Sequence, residues 1–197
     1  MLFRSSPMTL QEKLTSIMSN DTDIKAFLDD YTQEKSIKKG EVLSAAGSHQ
    51  QNVYFVEEGL LRTFYYEQGK DITAGFYVEG SVLSPIINFA EREASIYDIE
   101  ALENTRVSYC NYTQLDERCK VSLTVANFTR YILQDIILEK NKRLAYFQYM
   151  TARDKYNALL AENPSILLRA PLGDIASFLG ITQETLSRIR NQKQAND

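Results

Sequence analysis

Four polar side chains near the C-terminal end of the chain have the spacing of one exposed helix face. They are Gln183, Glu184, Ser187 and Arg188, and residues three and four apart lie on the same side of a helix. An amide, a carboxylate, a hydroxyl and a guanidinium together offer the donors and acceptors that read base edges in the major groove of DNA. This set predicts hydrogen-bonded recognition of double-stranded DNA.

These side chains need a scaffold, and the segment from Pro171 to Arg190 has the pattern of a helix-turn-helix. We expect Pro171 in the first turn of one helix, where its missing N–H costs nothing. Gly180 is expected to end that helix in a left-handed turn. Thr182 is the predicted N-cap of the second helix and a further candidate DNA contact. The predicted apolar anchors are Leu172, Ile175, Ala176, Leu179, Ile181, Leu186 and Ile189.

Short runs of aromatic and β-branched residues, separated by glycines, occupy the stretch from about 36 to 112. Many short strands at this spacing predict a β-roll or jelly roll. The predicted strands are 53–56, 60–66 and an alternating one at Tyr97, Ile99 and Ala101, with turns at 57–59 and 67–70.

Helical periodicity flanks this region on both sides. Before residue 34 it is carried by Leu10, Leu14, Ile17 and Met18, and then by Ile24, Phe27 and Leu28. From 121 to 150 two apolar stripes run along one predicted long helix: Val125, Phe128, Ile132 and Ile136 form the first, and Leu133, Ile137, Leu144 and Phe147 the second.

One β-roll cannot cover two stripes, so we expect one stripe to lie on the roll and the other on a second subunit. This predicts a homodimer, which Ile132→Asp or Ile136→Asp should weaken. A long helix buried within a monomer is the alternative. The predicted fold class is α+β, with a β-roll sensor domain and flanking helices (1–120), a dimerisation helix (121–150) and an all-α helix-turn-helix domain (151–197).

Composition excludes several classes of function. One histidine, His49, in a polar loop-like stretch cannot supply a multi-histidine metal site and poorly supports a catalytic triad, so we expect no enzyme. No apolar run approaches the roughly 20 residues that span a bilayer, so we expect a cytoplasmic protein without a membrane partner. The net charge is −4, but Arg169–Lys193 holds four basic and two acidic residues, so a local basic patch is expected there.

The order β-roll, long helix and Leu-Gly-Ile-Thr-Gln-Glu-Thr-Leu-Ser-Arg-Ile resembles the catabolite-activator (Crp/Fnr) family of transcription regulators. The resemblance covers nearly the whole chain and is specific in residues 171–190. It implies a homodimer on a palindromic operator in double-stranded DNA, with RNA polymerase as a further partner and a small-molecule effector, here unknown, in the β-roll.

The family's recognition helix opens with Arg-Glu-Thr-x-x-Arg, whose two arginines and glutamate read bases. Glu184 and Arg188 match this signature, whereas Gln183 replaces the first arginine and suggests a preference shifted toward adenine. The family also places a β-hairpin wing after this helix. Only the polar stretch from Asn191 to Asp197 follows here, so we expect wing contacts to be missing or much reduced.

Cyclic-nucleotide-binding members hold the ribose and phosphate with a Gly-Glu and an Arg-Ser pair. Ser84-Pro85 stands at the first position here, and Ser95 follows an alanine at the second. Arg92 is near, but we expect it in a solvated loop between two glutamates. These four residues, Ser84, Pro85, Arg92 and Ser95, are the candidate effector pocket. Without the phosphate-binding arginine, cyclic AMP is expected to bind weakly or not at all.

We assign no cofactor and no metal. An iron–sulfur sensor needs about four cysteine thiolates, and this chain has Cys110 and Cys119 alone; we expect both to be small core residues rather than a redox pair. The main alternative function is a ligand-binding β-roll whose C-terminal helices contact protein instead of DNA. The weak net basicity and the expected lack of a wing favour that alternative.

Overall fold

Antiparallel strands run through the part of the chain from Gln33 to Asn111. The computed structural model describes residues 22–49, 51–83 and 94–194, and the statements below concern these residues. Within them, eight strands form two four-stranded sheets, ordered β1-β8-β3-β6 and β2-β7-β4-β5. The strands are β1 (Gln33–Ile37), β2 (Val42–Ser44), β3 (Asn52–Glu58), β4 (Leu61–Glu67), β5 (Lys70–Tyr77), β6 (Val82–Leu83), β7 (Asp98–Ala101) and β8 (Thr105–Asn111).

The two sheets enclose one apolar core, and β7 shows the alternation of buried and less buried side chains expected of a strand with one face in that core. Val56, Leu61 and Val107 are fully buried between the sheets. The β4–β5 hairpin closes through Gln68 and Gly69, whose φ angles of 50° and 76° are both positive, as in the two-residue turns that match strand twist. The predicted β-roll is therefore confirmed.

Seven helices accompany the sheets in the described residues. Three pack on the roll: α1 (Thr22–Tyr31), α2 (Tyr112–Val121) and α3 (Leu123–Tyr149). Four follow them: α4 (Ala152–Glu162), α5 (Ile166–Arg169), α6 (Leu172–Leu179) and α7 (Gln183–Gln194). None of these helices combines the length and apolar character needed to cross a bilayer.

The long helix α3 uses its two stripes differently, as the sequence predicted. Val125, Phe128 and Ile132 are buried against α1, β3 and α2, whereas Ile137 and Leu144 on the second stripe are 57% and 56% exposed. The expectation that Ile132 and Ile136 report on a dimer contact was wrong, because both pack into the chain's own core. A test of dimerisation must therefore use the second stripe.

Several local predictions need correction. Glu57 and Glu58 belong to β3 instead of a turn, because β3 stays paired with β8 through Glu58. Helix α2 was not predicted; it begins where the Asn111 side chain accepts a hydrogen bond from the Thr113 backbone N–H at 2.9 Å. Ser122 then separates α2 from α3 by capping α3. The predicted first apolar set, Leu10, Leu14, Ile17 and Met18, lies outside the described residues.

Candidate nucleic-acid interface

Helices α6 and α7 are joined by the tight turn that the sequence predicted. Gly180 ends α6 with a left-handed backbone (φ 65°, ψ 39°), and its N–H donates to the Ser177 carbonyl at 3.0 Å. The Ile181 N–H donates to the Ala176 carbonyl at 3.0 Å. Pro171 occupies the cap position just before α6, one residue earlier than expected. The two helices thus meet as a helix-turn-helix.

A separate apolar core holds α7 from behind. Ile175 and Leu186 are fully buried, Ala176 is 2% exposed and Ile189 is 8% exposed. They pack with buried side chains of the preceding helices α4 and α5, namely Tyr156, Leu159, Ile166 and Leu167. Because one side of α7 is fixed in this core, its opposite side faces outward with little freedom to rotate.

The N-terminus of α7 is capped as predicted and carries a negative side chain. The Thr182 hydroxyl accepts a hydrogen bond from the Thr185 backbone N–H at 3.2 Å. The pKa of Glu184 is lowered by hydrogen bonding to its own backbone N–H and to Thr182, and the positive end of the helix dipole favours a carboxylate here. Glu184 is therefore an ionised acceptor at neutral pH.

The outward side of α7 lines an open surface depression of about 720 Å³. Four of the five predicted DNA contacts line it: Gln183, Glu184, Ser187 and Arg188. Thr182, the fifth, is exposed but occupied in capping. Sequence reasoning missed Asn191 and Gln192, which extend the same surface by one helical turn, because it took residues from 191 onward as a polar tail.

Arg153 of α4 adds a cation beside this surface. Its Nη2 donates to Gln192 Oε1 at 3.1 Å, so the α4 side chain reaches the C-terminal half of α7. Helical periodicity in the sequence could not have identified Arg153 as part of this surface, because its place there depends on how α4 packs against α7.

Helix α6 is seated on the β-roll, which fixes the direction in which α7 faces. The Thr73 backbone N–H of β5 donates to Ser177 Oγ at 2.9 Å. The rings of Phe76 and Phe178 lie 5.0 Å apart. From α3, the Arg143 guanidinium lies 3.8 Å from the Phe178 ring centroid and donates to the Phe178 carbonyl at 3.2 Å. Burial lowers the pKa of Arg143 to about 10, so it remains protonated at neutral pH.

A buried arginine of β4 ties the sheet to α6. Arg62, 7% exposed, makes a bidentate pair with Asp71 at 3.1 and 2.8 Å and donates to Glu100 Oε2 at 2.9 Å. Its Nη1 also lies 2.9 Å from Asp174 Oδ1 of α6. Three carboxylates thus share one guanidinium.

That excess of negative charge affects both partners of the Arg62–Asp174 pair. Burial raises the pKa of Asp174, and the charges of Asp71 and Glu100 raise it further against the opposing effect of Arg62. Burial alone would lower the pKa of Arg62, but its hydrogen bonds to Asp71 and Glu100 outweigh that cost and raise it. We name these four residues, Arg62, Asp71, Glu100 and Asp174, the Arg62 cluster.

A second arginine connection comes from α5. Arg169 pairs with Glu79 at 3.0 and 2.8 Å and also with Glu103. Burial would raise the pKa of Glu79, but hydrogen bonds from Arg169 and from the Glu79 and Gly59 backbone N–H groups lower it on balance.

Arg169 and Asp174 both point toward the β-roll. The predicted basic patch therefore loses one cation and one anion to the β-roll. Among the side chains whose burial is described, the charges left on α7 are those of Glu184, Arg188 and Arg190, and Arg153 of α4 lies beside them.

The candidate effector pocket falls mostly outside the described residues: Ser84, Pro85 and Arg92 lie there. Ser95 is described, and its hydroxyl donates to the Tyr97 carbonyl at 3.0 Å and accepts from the Tyr97 N–H at 3.1 Å. These bonds use the hydroxyl to close a local turn. His49 is exposed in a loop, as expected.

The two cysteines are free thiols. Cys110 is 2% exposed, and burial raises its pKa to about 12. Cys119 lies 3.4 Å from the Thr129 hydroxyl. A thiol held in the protonated form reacts slowly, so Cys110 has the properties of a core residue.

Comparisons with known proteins agree with one another. The family described as cyclic nucleotide-binding domain matches residues 34–121. The fumarate and nitrate reduction regulatory protein of Escherichia coli (strain K12) is 27% identical over 178 residues, which cover 82% of this chain and 69% of that protein. FixK2 from Bradyrhizobium japonicum superposes with a TM-score of 0.73 at 21% identity, covering 84% of this chain and 85% of its own. A transcriptional regulator of the CRP/FNR family from Thermus thermophilus superposes with a TM-score of 0.62 at 19% identity, and the match covers 83% of this chain and 87% of that one.

Proposed function

We propose that the chain is a DNA-binding transcription regulator of the Crp/Fnr kind that docks α7 in the major groove of an operator. Its likeness to the cyclic nucleotide-binding domain and to the fumarate and nitrate reduction regulatory protein supports this proposal. The observation that carries this proposal is the outward row Gln183, Glu184, Ser187 and Arg188 on a helix whose opposite side is anchored by the fully buried Leu186. The major groove, about 12 Å wide, admits such a helix.

Each side chain of the row has a distinct task in this proposal. Arg188 pairs with guanine O6 and N7, and the ionised Glu184 accepts from cytosine N4. Gln183 favours adenine, and Ser187 makes a weaker contact with base or phosphate. Thr182 mainly caps α7 and contacts phosphate through its exposed position. Arg153 and Gln192 extend the contact along the backbone of the duplex.

We propose a homodimer that forms along the second stripe of α3. Ile137, Leu144 and Phe147 are each about half exposed in the single chain, and 137 and 144 are seven residues apart, the repeat of a two-helix seam. A symmetric dimer would present two copies of α7 to half-sites about 34 Å apart, which requires a palindromic operator.

The β-roll is the proposed sensor, with the division 1–120, 121–150 and 151–197 as its domain plan. The effector stays unassigned, and RNA polymerase is carried over from the family as a further partner. Cyclic AMP is expected to bind weakly, because the position of the phosphate-binding arginine is not occupied by arginine. Calorimetric titration with cyclic AMP checks this, and a micromolar dissociation constant would overturn it.

Selection from a random duplex pool at low salt tests the proposal. The wild-type protein should enrich a palindrome and retard it in a gel shift, with affinity falling steeply as salt rises. Arg106→Ala, which removes one exposed charge from β8, should enrich the same site. Enrichment of no sequence by folded protein would contradict the proposal and favour the reading of the C-terminal helices as a protein-binding module.

A further inference from the structure

Gly173, the second residue of α6, is a glycine that its backbone does not require. Its φ is not in the left-handed region, unlike that of Gly180. Glycine in a helix costs roughly 0.5–1 kcal/mol relative to alanine. A conformational need of the turn therefore does not explain why glycine stands here.

The neighbourhood of Gly173 supplies another reason. Outside its own helix, the atoms that a Cβ at Gly173 would meet within 4 Å all belong to the Gln183 carboxamide: Nε2 at 2.7 Å and Cδ at 3.6 Å. The first of these distances is too short for any real Cβ. The space left by the absent side chain is thus filled by the end of Gln183, which is the first residue of α7 and one of the residues facing the proposed operator.

We propose that Gly173 is a specificity-determining residue, because it lets the Gln183 carboxamide rest on α6 instead of extending toward the base. The inference rests on the proposed function. Adenine is recognised when both the oxygen and the nitrogen of a glutamine amide face its N6 and N7 atoms. An amide with one end against α6 offers only the other end to DNA, so it forms a single hydrogen bond and discriminates weakly.

The consequence is a directional prediction for base preference. Gly173→Ala should displace the Gln183 carboxamide, which can move because it is the flexible end of a side chain. The displaced amide can then pair in bidentate fashion, and preference for adenine at its position should rise by at least about fivefold. Preference at the positions read by Glu184 and Arg188 should stay unchanged.

A double-mutant cycle separates this effect from any change in α6 itself. Four proteins are passed through the same duplex selection: wild type, Gly173→Ala, Gln183→Ala and the double variant. The sharpened adenine preference is expected in Gly173→Ala alone, and the double variant should match Gln183→Ala. Equal adenine preference in wild type and Gly173→Ala, or the same shift in the Gln183→Ala background, would overturn the inference.

A measurement without DNA distinguishes this inference from the proposed function. In the free protein, nuclear Overhauser contacts should connect the Gly173 α protons with the Gln183 side-chain amide protons. If the wild-type protein enriches an operator but shows no such contact, the inference alone is wrong. If the contact is present but no sequence is enriched, the proposed function is wrong and the inference falls with it.

Discussion

Replacing Arg62 with methionine should weaken the fold markedly, because Arg62 is the single cation among three carboxylates. Methionine retains much of the apolar stem but lacks the guanidinium, whose carbon lies 4.2 Å from the Phe64 ring centroid. The change therefore removes mainly charge and hydrogen bonds. It leaves Asp71, Glu100 and Asp174 facing one another without compensation.

The size of the effect follows from the burial of these groups. Removing one partner of a buried ion pair costs about 3–5 kcal/mol. The Arg62 side chain is 8% exposed, but those of Asp71, Glu100 and Asp174 are 37%, 23% and 20% exposed, so water screens part of the repulsion. We therefore expect a loss of about 2–3 kcal/mol in the free energy of unfolding, or roughly 5–10 °C in Tm for a chain of this size.

Urea denaturation followed by circular dichroism measures this loss, and Arg106 provides the matched control. Arg106 is an arginine on strand β8 with 43% side-chain exposure, and its carboxylate neighbours lie 3.7 and 4.0 Å away. Arg106→Met should cost less than about 1 kcal/mol. Equal losses for Arg62→Met and Arg106→Met would refute the claim that the Arg62 cluster holds α6 on the β-roll.

Two further predictions concern pH and assembly. Glu79→Gln should cost about 1–2 kcal/mol at neutral pH. Because the pKa of Glu79 is lower in the folded state than in the unfolded state, the Glu79 charge stabilises the fold above the unfolded-state pKa, and this stabilisation is lost as pH falls through the folded-state pKa. The difference in urea midpoint between wild type and Glu79→Gln should therefore narrow in acid. A difference that stays constant with pH would contradict the role of the Glu79 charge. Ile137→Asp should give a folded monomer by light scattering, whereas Ile132→Asp should unfold the roll because Ile132 is 6% exposed. A dimeric Ile137→Asp protein would exclude this seam.

The helix-turn-helix could be predicted because its signals are local. Caps, turn glycine and helical periodicity all fall within residues 171–190, and each acts on neighbours a few positions away. The roles of Glu184 as an N-terminal carboxylate and Leu186 as an anchor follow from the same short-range rules. The contact of these side chains with DNA stays a prediction.

The connection between β-roll and helix-turn-helix could not be predicted in this way. Arg62 follows the core residue Leu61 in β4, so alternation alone would place its side chain on the opposite face of the strand, in solvent. It is buried because α6, far along the chain, lies over that opposite face and contributes Asp174. Arg169 counted as part of a basic patch in the sequence, but Glu79 and Glu103 turn it inward. Helix α2 was not predicted because it buries little apolar surface, and Leu115 is its buried residue.

The most direct test of the DNA-binding claim is Arg188→Ala measured on the selected operator. Arg188 is exposed on α7, whereas Leu186 and Ile189 anchor the helix, so the variant should fold normally. It should lose about 1–3 kcal/mol of binding free energy per half-site and relax discrimination at one base pair in each. Arg106→Ala, with the same change in net charge, should retain affinity and preference. If folded Arg188→Ala protein binds the operator with unchanged affinity and unchanged base preference, α7 does not read DNA through Arg188 and the account is contradicted.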